Sequence, residues 1–184
     1  MEETVKKLYI TGYQSYELGI FNEKDPKLQV IKKVLKNEIK NYVENGLEWV
    51  MVAGGLGIEL WAGEVVAELK PTYPELKLAL ILPFADYGNQ WNEKNQLLLT
   101  EVKTQADFCD SVSHEPYKNP GQFKNLTTFL LAHTDGALIV YDEEFPGKPK
   151  YFLSAARKVQ ETKPYSIQSI TMDDLENAIF DDSV

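Results

Sequence analysis

The pattern of hydrophobic and polar positions changes period most sharply between Leu47 and Leu69, LEWVMVAGGLGIELWAGEVVAEL. Trp49, Val50, Met51 and Val52 form an unbroken apolar, β-prone run of the kind shown by a strand buried on both faces. Ala53-Gly54-Gly55-Leu56-Gly57 interrupts it, and from Ile58 the residues Leu60, Trp61, Val65, Ala67 and Leu69 follow at helical spacing. This stretch reads as strand, glycine turn, helix. The same alternation runs through the chain. Lys7 to Thr11 is a first strand, ending in a loop from Gly12 to Gly19. Asp25 and Pro26 supply a cap and a first helical position, and Leu28, Ile31, Val34, Leu35, Ile39, Tyr42 and Val43 continue the helix to Asn45-Gly46. After the break at Lys70-Pro71-Thr72-Tyr73-Pro74, Leu76 to Leu82 is a third strand and Asn92 to Asp107 a helix. A weaker strand, Phe108 to Ser113, precedes a helix from Gln122 to His133. Ala137 to Tyr141 is the clearest strand of the second half, followed by a helix from Tyr151 to about Glu161, a strand from Tyr165 to Thr171 and a short acidic helix from Met172 to Phe180.

About six strands alternating with helices predict an α/β protein whose mostly parallel sheet is covered on both faces, because right-handed crossovers make parallel neighbours. Ile10, Val50, Val52, Leu80, Ile139, Val140 and Ile170 are its expected core. Most polar and glycine-rich segments follow strands, and so fall on the sheet edge where such folds bind ligands.

Composition narrows the classes. A chain of 184 residues is the size of one domain, taken as 1–184, with no linker or repeat to divide it. With 28 acidic and 19 basic residues the net charge is −9, which gives no general attraction to DNA or anionic lipid, so any anion must be bound locally. The single cysteine, Cys109, has no internal disulfide partner and beside Phe108 reads as a core residue in a reducing compartment. No run approaches the roughly eighteen apolar residues of a membrane span, and residues 1 to 10 lack the apolar segment of a signal peptide. The expectation is a soluble, cytoplasmic protein without a metal site. Trp91, in a polar loop, is expected to be exposed and to favour a homodimer.

The glycine turn carries the most chemistry. A helix N-terminus leaves unpaired N–H groups, and with the helix dipole and backbone uncovered by Cβ atoms they form an anion site. The same glycines also suit a purely structural role, supplying positive φ and close strand–helix packing. The dinucleotide fingerprint is incomplete, because after Gly55-x-Gly57 the third glycine position holds Leu60, and no Gly-Lys-Ser/Thr follows to make a Walker A loop. Glu59 and Glu64 lie on the helix, and a first-turn carboxylate suits the dipole yet repels a phosphate on the same amides. Glu59 therefore fits ribose hydroxyls or helix capping better than phosphate. Gly12 and Tyr13 stand in the loop after the first strand, and His114 and Lys124 flank the Pro-rich loop of residues 114–124, where each meets either a phosphate or only solvent.

A family resemblance rests on Ile10-Thr11-Gly12-Tyr13, Glu17-Leu18-Gly19-Ile20-Phe21, Gly46-Leu47-Glu48-Trp49, Leu56-Gly57-x-Glu59-Leu60-Trp61-Ala62, Pro116-Tyr117, Gln122-Phe123-Lys124, Asp135-Gly136 and Ile170-Thr171-Met172-Asp173-Asp174-Leu175. These resemble the YpsA family of Gram-positive bacteria over nearly the whole chain. The resemblance implies a three-layer Rossmann-like fold of the SLOG superfamily, which groups Smf/DprA DNA-processing proteins and LOG phosphoribohydrolases and is proposed to bind nucleotides or their derivatives. It also implies a connection with cell division. Departures separate the relatives. LOG enzymes carry Pro-Gly-Gly-x-Gly-Thr-x-x-Glu, whereas here Ala53 precedes the glycines, Ile58 replaces the Thr and Trp61 replaces the catalytic Glu. Gly57-Ile58-Glu59 resembles the Gly-Ile-Asp of Smf/DprA proteins, but the acidic balance removes the electrostatic term that DNA binding needs. Leu126 and Thr127 replace a basic residue and Asn common in YpsA-like sequences.

Three functions follow as expectations. In the first, a nucleotide-derived ligand such as ADP-ribose or NAD binds a sensor or regulator: Gly54, Gly55 and Gly57 donate amides, Glu59 meets ribose, Gly12 and Tyr13 floor and stack the base, and Lys124 offsets charge. In the second, Glu59 or Glu64 is the carboxylate of an enzyme cleaving an N-glycosidic bond. The incomplete LOG motif weighs against an enzyme. In the third, the chain is a protein-interaction scaffold. Gly55 separates an anion site from a turn: Gly55→Asp abolishes binding in a folded domain if an anion approaches there, while a left-handed glycine makes even Gly55→Ala cost on the order of 1 kcal/mol.

Overall fold

The computed structural model describes residues 4–180. Six strands, β1 (Lys7–Gly12), β2 (Trp49–Val52), β3 (Lys77–Leu82), β4 (Phe108–Ser111), β5 (Gly136–Val140) and β6 (Ser166–Ile170), form one parallel sheet in the order β4-β3-β2-β1-β5-β6. Between them lie α1 (Ser15–Leu18), α2 (Pro26–Glu44), α3 (Ile58–Leu69), α4 (Glu93–Gln105), α5 (Gly121–His133), α6 (Pro149–Val159) and the final α7 (Met172–Ile179). The chain winds outward from β1 through β2 and β3 to β4. It then crosses back through α5 to β5, beside β1, and continues in the other direction to β6. Right-handed crossovers put α2, α3 and α4, with α7 against α2, on one face and the contacting pair α5 and α6 on the other.

Local chemistry accounts for the helix ends. The Asp25 side chain accepts a bond from the Lys27 amide at 2.9 Å with Pro26 behind it, and Thr171 and Asp174 form a reciprocal capping box at α7. Leu28, Ile31, Leu35 and Ile39 turn one stripe of α2 inward. Every residue of β5 is buried, and Ile10, Val50, Val52, Leu80, Ile139, Val140 and Ile170 all lie in the core as their pattern predicts. The short α1 escapes the periodicity because four residues make only one turn.

Two expectations are corrected. Cys109 is exposed rather than buried, and its neighbour Phe108 keeps half of its surface. The cause is strand order: β4 is an edge strand, so the helices over the central strands leave it uncovered. Trp91 is half-buried with its ring 5.2 Å from that of Tyr87, and so does not offer the exposed surface on which a homodimer was expected. Among the described residues no helix is long and apolar enough to cross a membrane.

Candidate ligand-binding site

The strand order reverses between β1 and β5, so the loops that leave their C-terminal ends diverge and leave a crevice. A cavity of about 200 Å³ lies there. The end of β1, the turn after β2, the first turns of α5 and α6, and the start of α3 supply its walls.

The turn after β2 is held by the loop after β1. Ser15 N donates to Leu56 O at 3.0 Å, and Ile58 N donates to Tyr13 O at 3.2 Å. Gln14 and Gly57 form an antiparallel bridge. A Cβ on Gly57 would lie 2.6 Å from both Ser15 N and Tyr13 O, and its φ of 121° disfavours any other residue. For Gly57 the structural reading of the turn therefore holds. Gly54 shares it, with its open side packed on Leu82 and Tyr87 rather than on the cavity. Gly55 differs. It lines the cavity, its φ is not positive, and a Cβ there would meet only the Glu59 side chain, with Oε2 at 3.1 Å. The amides of Gly55 and Leu56 have no protein acceptor among the described residues, whereas that of Ile58 is taken by Tyr13. The first-turn amides of Ile58, Leu60 and Trp61 are thus all engaged, while those of Gly55 and Leu56 in the turn before α3 are not.

Glu59 fastens α3 to two strands. Its Oε1 accepts from Ala53 N at 2.5 Å, and its Oε2 accepts from the Tyr9 hydroxyl and the Thr11 hydroxyl, each at 3.1 Å. The residue keeps a partial opening to the cavity, but its carboxyl group is enclosed by protein. Burial outweighs the three hydrogen bonds and raises its pKa from 4.5 to about 7. Burial and the Glu59 charge together push the Tyr9 hydroxyl well above its ordinary value, so it stays a donor.

The other residues singled out by sequence separate into two groups. Gly12 and Tyr13 line the cavity, but Tyr13 is buried. Its hydroxyl accepts from Asp142 N at 2.9 Å and donates to Phe145 O at 2.8 Å, which ties the loop after β5 to the loop after β1. Glu64 faces α2, paired with Lys32 at 3.2 Å. His114 is exposed, 3.8 Å from Asp110, and Lys124 is exposed on α5; neither is among the cavity's lining residues. From α5 it is Phe123 and Thr127 that reach the cavity, while the buried Gln122 braces the preceding loop through Ser113 and Pro116.

The lining also contains Lys148, Pro149, Tyr151 and Phe152, none of which the sequence pattern marked. Their signal was available: Pro149 opens a helix that follows a strand. Among the described residues Lys148 is the only cation lining the cavity, with its Nζ 5.4 Å from the centre of the Tyr16 ring. Its amide donates to Glu17 Oε2 at 2.9 Å, and Glu17 Oε1 accepts from Gln14 N at 2.8 Å. One carboxylate thus fixes the approach to α6 against the loop after β1. The arrangement brings free amides, one cation, one carboxyl group near neutrality and aromatic rings to a single small crevice.

A parallel sheet with helices on both faces and a crevice at its reversal defines a Rossmann-like α/β protein. The chain belongs to the YpsA family, whose model, described as the YspA SLOG family, matches residues 8–175. A UPF0398 protein of Enterococcus faecalis is 55% identical over 97% of this chain and 99% of its own length. UPF0398 proteins of Lacticaseibacillus casei and Staphylococcus saprophyticus are 50% and 44% identical, over 93% and 96% of this chain and 90% and 94% of theirs. Among solved structures, the DNA processing protein A of Helicobacter pylori, described for its single-stranded DNA binding mode, shares the fold with a TM-score of 0.54 and 19% identity. The match covers 89% of this chain and 65% of that one.

Proposed function

We propose that this protein binds a nucleotide or nucleotide-derived ligand in the crevice between β1 and β5 and acts as a sensor or regulator. The observation that carries the reading is the meeting of the unpaired Gly55 and Leu56 amides with Lys148 at the strand-order reversal. Phosphate is the ligand group that these donors suit, and membership of the SLOG family agrees with a nucleotide-related role. The structural neighbour is described for its single-stranded DNA binding mode; here the small size of the crevice, about 200 Å³, and the net charge of −9 favour a small ligand over a strand. The resemblance to YpsA-like proteins suggests cell division as the process that the ligand-bound form regulates.

Calorimetric titration with AMP, ADP-ribose and NAD tests the proposal. Binding by at least one of them, weakened on the order of tenfold in Lys148→Ala with an unchanged melting curve, is the expected result. Failure of all three ligands refutes it.

A hydrolytic reading has one observation in its favour, the pKa of about 7 of Glu59, a residue that lines the cavity although its carboxyl group is held within the protein. Against it, the position of the LOG glutamate is held by Trp61, which is buried in the core and absent from the cavity's lining. Release of free base from the same nucleotides, followed by chromatography, decides between binding and turnover.

A further inference from the structure

The cavity is smaller than the roughly 300 Å³ at which small-molecule pockets usually begin, so a nucleotide seated in it extends past its mouth. Two aromatic side chains stand there. Tyr151, in the first turn of α6, keeps 70% of its surface exposed, and Phe123, in the first turn of α5, keeps 44%, although both line the cavity. Exposed rings at a concave site leave apolar area that a planar group can cover. Phe123 is propped from behind: its ring stands edge-on to that of Phe84 at 5.6 Å and near that of Tyr117 at 6.3 Å, so little freedom is lost when a partner stacks on it. The Lys150 ammonium lies 5.2 Å from the centre of the Tyr151 ring. Lys148, Gly55 and Leu56 lie in the same lining, while buried Tyr13, expected from sequence to stack a base, has its hydroxyl engaged on the loop after β5.

We infer that Phe123 and Tyr151 are the base-recognition element of the crevice, and that its ligand is a nucleoside monophosphate or a molecule ending in one. The phosphate lies toward the glycine turn and Lys148, and the base stacks at the mouth. This rests on the reading of the crevice as a nucleotide site. Stacking is tolerant of base identity, because every base has a π face, so selectivity is for the presence of a base before its kind.

Titration of the full-length protein with AMP and with ribose 5-phosphate, which carries the same phosphate without the base, tests the inference. AMP should bind on the order of tenfold tighter. Phe123→Ala/Tyr151→Ala should erase that difference while ribose 5-phosphate binds as before, and Tyr151→Phe should retain it. Unchanged ribose 5-phosphate binding also reports that the double variant is folded. Equal affinity of the wild-type protein for the two compounds overturns the aromatic element and leaves the phosphate site standing, as does a double variant that still prefers AMP. Binding of neither compound overturns this inference, and the nucleotide reading beneath it falls as well only when ADP-ribose and NAD also fail to bind.

Discussion

Glu59 joins the stability of the domain to the chemistry of its crevice. Its pKa stands near 7 in the fold and near 4.5 when unperturbed, so between these values the folded protein holds a proton that the unfolded chain has released. The sign follows: the proton's contribution is complete below about 4.5 and is lost as pH rises through 7. The shift corresponds to about 3 kcal/mol. Glu59→Gln removes the titration and keeps the shape, since its amide oxygen accepts from Ala53 N and its amide nitrogen donates to the Tyr9 and Thr11 oxygens. Urea unfolding at pH 5 and pH 8 should therefore show the variant gaining on the wild type by up to about 3 kcal/mol at the higher pH. A gap independent of pH would assign Glu59 an ordinary carboxylate. The same titration eases the conflict between a first-turn carboxylate and a bound phosphate, because the neutral form does not repel the anion. AMP affinity is expected to fall as pH rises through 7, with a flatter profile in Glu59→Gln.

At the scale of elements, the glycine turn before α3 combines two roles that substitution separates. Gly57 is fixed by backbone on backbone, so Gly57→Ala should destabilise by about 2 kcal/mol, and any functional loss should track unfolding. Gly55 has no left-handed φ, so Gly55→Ala should cost less than about 1 kcal/mol, while Gly55→Asp should abolish nucleotide binding in a protein that still melts normally. Melting curves and titrations of the three variants check this, and normal binding by a folded Gly55→Asp protein removes the turn from the site. The start of α6 depends on a different device. Glu17 accepts from Gln14 N and Lys148 N, and Gly147 packs so closely on that carboxylate that a side chain there would displace it. Glu17→Ala should cost about 1 kcal/mol of stability and accelerate amide exchange of Lys148, with weaker AMP binding because the cation is no longer held at the crevice. Unchanged exchange at Lys148 would show the loop to be fixed by Tyr13 alone.

For the whole molecule, the acidic charge and the small crevice predict selectivity against polymers. A fluorescently labelled single-stranded oligonucleotide should show no anisotropy change at physiological salt under conditions where AMP binds, and tight oligonucleotide binding would reverse that assignment. The parallel α/β architecture was legible in the chain because hydrophobic period is local: Trp49 to Val52 reads as a buried strand and Ile58 to Leu69 as a helix without knowledge of their neighbours. The turn at Gly55 and the carboxylate at Glu59 were legible for the same reason, lying in one continuous strand–turn–helix segment. Strand order is not local, and it decided the rest. It made β4 an edge and exposed Cys109, and it set β5 beside β1, bringing Phe123, Lys148 and Tyr151 to the turn at Gly55, which lies far earlier in sequence. His114 and Lys124 share a strand-end loop region with no less local promise, but lie outside the cavity's lining. The sequence alone determined which segments are the strands and the longer helices, since each such segment's own periodicity selects its backbone. Only the tertiary structure decided which loops share a crevice, because that depends on the winding of the sheet, where packing over the whole core selects one order among many that satisfy the same local pattern.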